Sequence, residues 1–170
     1  MTWRGSSTIQ DRIFASLTYL LPMTLVLGFG SYLFSVFPAV RVIVLPFMPL
    51  ILLYMYISSF IPYSGIIIFF ALYLLVVRND RLRHFLRFHT MQAILLDIFV
   101  SLCSWLMRLI GFPIDLLPSD VATNFFFNIV STTIFLAVFS ASVYSVFQAV
   151  RGLYAEIPVI SDAAYIQVSR

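Results

Sequence analysis

The chain has 170 residues, 62% hydrophobic and 10% charged, with a formal net charge of +3 and a mean hydropathy of +1.03. An average soluble domain is about half apolar and about a quarter charged, and a soluble core of this size cannot hide so much apolar surface. The composition excludes a soluble globular domain and points to an integral membrane protein.

The apolar residues are concentrated. No charge appears from Ile13 to Val40, from Val42 to Val77 or from Val121 to Val150, runs of 28, 36 and 30 residues, where about 20 suffice to cross a bilayer as helix. Barrel strands alternate lipid-facing and lumen-facing residues over about ten positions, whereas these runs are longer and apolar on every face. Backbone groups in hydrocarbon must be satisfied within each segment, which leaves an all-α polytopic membrane protein. The twelve residues ahead of the first run include Asp11 and are too few and too acidic for a transit peptide. The run itself is too long for a signal-peptide core, so the first span is expected to be retained.

In chain order, the first span is expected at about 13–37, carrying Pro22, Gly28 and Gly30. The next run, Val42 to Val77, is interrupted by Pro46, Pro49, Pro62 and Gly65, and proline removes a helix donor and clashes with the preceding turn. Arginine placement decides how to read it. With four spans, Arg4, Arg12, Arg78, Arg81, Arg83, Arg87, Arg151 and Arg170 share one side and only Arg41 and Arg108 the other; a five-span reading is less biased, so four spans fit the positive-inside rule better. The expected spans are about 13–37, 57–77, 90–110 and 128–150, within a single membrane domain covering 1–170. Both termini, including the tail 151–170, are expected on the cytosolic or stromal side with the arginine-rich loop. Residues from Val42 to about Tyr56 are expected to form a proline-broken re-entrant or interfacial segment, which needs protein cover for its freed backbone groups. Tyrosine and tryptophan near several span ends (Trp3, Tyr32, Tyr63, Trp105, Tyr154) suit interfacial anchoring.

The polar residues inside the apolar helices are the candidate site. A central aspartate costs roughly 2.5–3.5 kcal/mol on insertion scales, and each Leu, Ile, Phe or Val returns about 0.3–0.6. Ten such residues between Ile94 and Ile110 offset Asp97 by a thin margin, so Asp97 is expected to face protein or water. His89, Ala93 and Asp97 recur every four residues on one face, with Gln92 on the adjacent stripe. Asn124, Asn128 and Ser131 or Thr132 form a second stripe, and Ser140, Tyr144 and Gln148 a third. Gln92, Asp97, Asn128 and Thr132 make up the candidate polar intramembrane face. One reading is a hydrophilic lining for something that crosses the membrane. The other, and the commoner one, is hydrogen bonding between helices, worth about 0.6 kcal/mol per pair.

No catalytic constellation is legible. The phosphate-binding glycine loop, G-x-S-x-G and H-E-x-x-H are all missing from the sequence. His84 and His89 are five apart with no carboxylate at helical spacing, so no metal shell is expected. Cys103 is the one cysteine, which precludes an intrachain disulfide. No cofactor is expected. The chain has no lysine and no alternation of basic and aromatic residues on a soluble surface, which gives nucleic-acid binding little support. "RNDRLRHFLRF" reads first as a topology determinant and second as a contact for anionic lipid headgroups.

Three stretches, "DRIFASLTYLLPM", "LYLLVVRNDRLRHFLRFHTMQAILLDI" and "VYSVFQAVRGLYAEIPVISDAAYIQV", together resemble the twenty-kilodalton subunit family of the TIC translocon of the chloroplast inner envelope, most closely its cyanobacterial and plastid-encoded members. The specific parts are "RF-x-TMQA-I-L-DI" and "IP-x-IS-x-A". Arg87, Met91, Gln92, Ala93 and Asp97 match the first, and Ile157, Pro158, Ser161 and Ala163 the second. The family usually carries asparagine at the position of His89. The resemblance implies a four-helix, non-enzymatic subunit of a preprotein-import complex, assembled with other membrane proteins in a plastid inner envelope or a cyanobacterial inner membrane. It further implies a component that forms or lines the conducting path. A structural subunit or assembly factor is the alternative reading, and a small-solute or ion permease, suggested by the proline-broken segment, the third.

Overall fold

The computed structural model describes residues 7–61, 63–111 and 121–168. Thr8 starts the first helix. Its side chain accepts from the Asp11 backbone while the Asp11 carboxylate accepts from the Thr8 N–H at 2.8 Å, so two end donors are satisfied reciprocally. Helix α1 then runs Ile9–Val36, loosened at Tyr19 and again by a 3₁₀ turn over Leu27–Gly30. Gly30 allows close approach: a Cβ there would lie 2.9 Å from rings of Phe135 and Phe34.

Helix α2 spans Pro38–Phe60. Pro38, Pro46 and Pro49 each occupy the first turn of a successive helical segment, where a missing N–H costs nothing. Pro46 and Pro49, which read as breakers, are thus accommodated. The break comes later. Ile61 is extended (φ −116°, ψ 106°), as a residue preceding proline is driven to be, and Tyr63 is left-handed at φ 59°. Helix α3, Ser64–Val77, follows and ends in a π turn. The sequence-derived interval 57–77 therefore straddles a break, its first residues belonging to α2 and the remainder to α3.

Helix α4 covers His84–Gly111, α5 Val121–Arg151 and α6 Ile160–Val168. No strand occurs among the described residues. Helices α1, α2, α4 and α5 are long and apolar enough to cross a membrane, so the protein is an all-α chain with four helices of spanning length.

One end of the bundle gathers three parts of the chain. Arg83 pairs with Asp11 at 3.4 Å, the His84 ring lies 3.1 Å from the Tyr154 hydroxyl, and Gly152 lies against Ser7 and Arg12. Arg87 holds the loop there, donating to the Val77 carbonyl at 2.8 Å and pairing with Asp80 at 3.0 Å. From this end α1 runs outward, α4 runs outward and α5 returns. Between α1 and α4, α2 and α3 together make one net return. Leu20 of α1 lines one cavity with Phe47 and another with Tyr54, so α2 crosses α1 at an angle. Helix α3 then runs from Ile66, beside Trp105, to Val76, beside Leu86.

Helix α5 stops in a Schellman motif. Leu153 N–H donates to the Gln148 carbonyl and Gly152 N–H to that of Ala149, both at 2.9 Å, with Gly152 at φ 75°. An alanine Cβ here would adopt a left-handed backbone and meet Ser7 Oγ at 2.7 Å and Arg12 Nε at 2.8 Å. Gly152→Ala is expected to cost about 1–2 kcal/mol, read as a lower unfolding midpoint in detergent; an unchanged midpoint would show that this end is not rigidly held.

Candidate functional site

The Schellman-type stop at Gly152 turns the chain back toward α4. Residues 153–157 carry no regular secondary structure before α6, and Val159, at φ 70°, lies in the turn that leads into it. Ser161, in the first turn of α6, accepts from the Ile157 N–H at 2.6 Å and donates to the Ala155 carbonyl at 3.0 Å. The tail is thereby folded into a small loop with a polar interior.

Helix α4 supplies the other half. Gln92 is fully buried, and its amide donates to the Ala155 carbonyl at 3.0 Å and to Ser161 Oγ at 3.2 Å. Its carbonyl accepts from the Tyr19 hydroxyl at 2.9 Å. One turn earlier on α4, His89 is also fully buried, with Nδ1 2.9 Å from the Tyr19 hydroxyl and Nε2 3.1 Å from the Leu153 carbonyl. Because a carbonyl only accepts, Nε2 carries the hydrogen in a neutral ring and Nδ1 is the acceptor. Tyr19 then shares a single proton between His89 and Gln92.

Aromatic packing surrounds this network. Phe85 and Phe88 meet the His89 ring edge-on at 4.6 and 5.5 Å, and Tyr154 stacks on it at 6.2 Å. Tyr165 of α6 lies 4.5 Å from Phe88. In this geometry α1, α4 and the tail form one closed polar knot inside an aromatic box. It has hydrogen-bond partners on every side, so it is built to hold the tail on the bundle.

The candidate residues divide. Gln92 sits in the knot, whereas Asp97 faces a different cavity, walled by α1, α2, α3 and α4. Helix α4 begins six residues before the expected Thr90, which puts Asp97 at its middle. Asp97 Oδ1 is buried without a hydrogen-bond partner among the described residues. Asn128 and Thr132 are half-buried on α5, apart from both. Thr132 Oγ1 likewise has no hydrogen-bond partner among the described residues. The side chain of Asn124 lies outside the described residues. Among the described residues no three His, Cys, Asp or Glu side chains come within reach of a shared ion.

The residues that carry the motif resemblance meet physically. Arg87 fixes the loop before α4, Met91 and Ala93 are buried in the core, and Gln92 reaches Ser161. Ile157 and Ser161 close the tail loop, the Pro158 carbonyl accepts from Ile160 at 2.8 Å, and Ala163 is half-buried on α6. Sequence reasoning missed Tyr19, Leu153, Tyr154 and Ala155. The one available signal was Tyr19 itself, a hydroxyl inside an apolar run, which needs a partner when buried.

Residues 8–164 match the family model described as the chloroplast import apparatus, Tic20-like. The chain belongs to the Tic20 family. A Tic20 family protein of Synechocystis sp. is 38% identical over 159 residues, covering 94% of this chain and 93% of its own. Protein TIC 20-v, chloroplastic, of Arabidopsis thaliana is 30% identical over 171 residues, covering 97% and 75%. The Tic20 family protein Ycf60 of Gracilaria tenuistipitata is 34% identical over 167 residues, covering 95% and 76%. The Tic20 match takes in all of the knot, from Tyr19 to Ser161.

Proposed function

We propose that this Tic20-family chain is a non-enzymatic subunit of a membrane protein-translocation complex, and that it lines part of the path taken by a preprotein. The observation that carries the reading is the match of residues 8–164 to a family named for the chloroplast import apparatus. The geometry supports a particular wall. Gln92 is occupied inside the knot, so the polar groups left for a passenger lie along α5, where Asn128, Thr132, Ser140, Tyr144 and Gln148 follow one another at steps of four or eight residues. Residues four apart on a helix are neighbours on its surface. The path then runs between this chain and its membrane-protein neighbours.

Arg12, Arg78, Arg81, Arg83, Arg87 and Arg151 lie at or near one end of the bundle, which supports placing that end and both termini in the cytosol or stroma. The membrane is then a plastid inner envelope or a cyanobacterial inner membrane.

Photo-crosslinkers placed at Thr132 and Ser140 during arrested transport of a tagged precursor test the reading. Adducts to the precursor at both positions are expected. Adducts confined to resident membrane proteins would instead make the chain a structural subunit or assembly factor.

A further inference from the structure

We propose that the cavity beside Asp97 is the docking site for a transmembrane helix of a partner membrane protein, which brings an arginine or lysine to the Asp97 carboxylate. The inference rests on the reading of the chain as a subunit of a membrane complex and names the chemistry of one neighbour.

Asp97 stands 13 residues after His84 and 14 before Gly111, so about 20 Å of helix separates it from either end. That is the deepest part of a hydrocarbon layer about 30 Å thick. Its Oδ1 is buried and has no hydrogen-bond partner among the described residues. The cavity it faces has a volume of about 490 Å³, and its wall is apolar apart from Asp97, Tyr54 and Ser101. No basic side chain lines it.

The chain's own arginines do not supply the missing partner. None of the described arginines lines this cavity; Arg108 lines the adjoining one, 11 residues and about 16 Å further along α4. A lipid tail fills volume but offers no donor, and an ionisable group within a membrane is ordinarily paired or turned to a protein interior. With no basic partner among the described residues, a side chain of a neighbouring chain meets the need. A guanidinium or ammonium is the complement of a carboxylate, and pairing the two removes the separate cost of holding each in hydrocarbon.

The rim of the cavity is shaped for a helix. Ile66, Phe70 and Trp105 are more than half exposed along it. Gly65 precedes Ile66 in the first turn of α3, and a Cβ added there would meet no described residue within 4 Å. A bare backbone facing open space lets a neighbouring helix approach closely, as small residues do at membrane helix interfaces.

The test uses the full chain in the membranes of the cell that makes it. A photo-crosslinking residue replaces Ile66 in one variant and Trp105 in another. The expected adduct is one membrane protein whose crosslinked peptide is a transmembrane segment containing arginine or lysine. Asp97→Leu and Gly65→Leu should each lower its yield about tenfold or more. Asp97→Leu removes an insertion penalty, and a Cβ at position 65 meets no described neighbour; an unchanged thermal midpoint in detergent verifies that both variants fold. Asp97→Arg, combined with an aspartate in place of the partner's basic residue, should restore the adduct. Adducts to lipid alone, to a second copy of this chain or to a segment lacking a basic residue would overturn the proposal. So would no adduct, or a yield indifferent to Asp97→Leu. Precursor adducts at Thr132 read the translocation reading separately: their persistence with no partner at Asp97 sinks the docking site alone, and the reverse outcome sinks the passenger path alone.

Discussion

Replacing His89 with alanine is expected to destabilise the folded chain by about 3–5 kcal/mol, the range for removing a buried ring and leaving its cavity. The ring is fully buried among Phe85, Phe88 and Tyr154 and joins α1 to the tail through Tyr19 and the Leu153 carbonyl. Alanine leaves the Leu153 carbonyl without the donor that His89 gives it and removes the ring contacts with Tyr19, Phe85, Phe88 and Tyr154. His89→Asn is expected to recover a good part of the loss, because its amide has two protons and can serve Tyr19 and Leu153 together. Asparagine is also the residue that the resembling family usually carries there. The checks are the unfolding midpoint in detergent and protease access to the chain beyond Gly152, which should rise in the alanine variant first. Indistinguishable alanine and parent midpoints would mean that the tail is not held at this position.

The spanning character of the chain was legible because charge-free runs of 28 residues and more have one physical use. The interior of the second run was not. Prolines 46 and 49 read as interruptions, yet each sits in a first turn, where the backbone has no intrahelical donor to lose. Whether a proline breaks a helix depends on its register with the preceding turn, and composition does not carry register. Helix α4 began earlier than expected for a related reason. "HFLRFH" carries charge and reads as interface, but Phe85 and Phe88 are buried by tail residues 60 to 80 positions downstream.

The site was half legible. Asp97 stood out as a carboxylate in oil, and the structure leaves its Oδ1 unpartnered. Gln92 stood out in the same way and has an opposite fate, since all its hydrogen-bonding groups are engaged. Five residues on a helix turn the side chain by about 140°, so the two could not share one surface. What separates them is the tail. No local pattern says that "IP-x-IS-x-A" folds back onto "TMQA", because the pairing of Gln92 with Ser161 closes a loop of 69 residues.

That pairing gives the second large expected effect. Gln92→Leu should cost about 2–4 kcal/mol, since it deletes three buried hydrogen bonds at about 1 kcal/mol each. The loss stays below that of a fully orphaned network for a structural reason. The Ala155 carbonyl still accepts from Ser161, and Tyr19 keeps His89 as an acceptor. Ser161→Ala removes the hydroxyl that accepts from both Ile157 and Gln92 and should cost about 1–2 kcal/mol. In the double variant the two losses should fall short of their sum by about 0.5–1.5 kcal/mol, the coupling expected of residues in one network. Additivity to within about 0.3 kcal/mol would show that the two motif segments touch without supporting each other. Precursor crosslinking at Thr132 separates support from passage. If Gln92 serves to hold the tail, passenger adducts persist in a variant that still folds; their loss at unchanged stability would place Gln92 on the path itself.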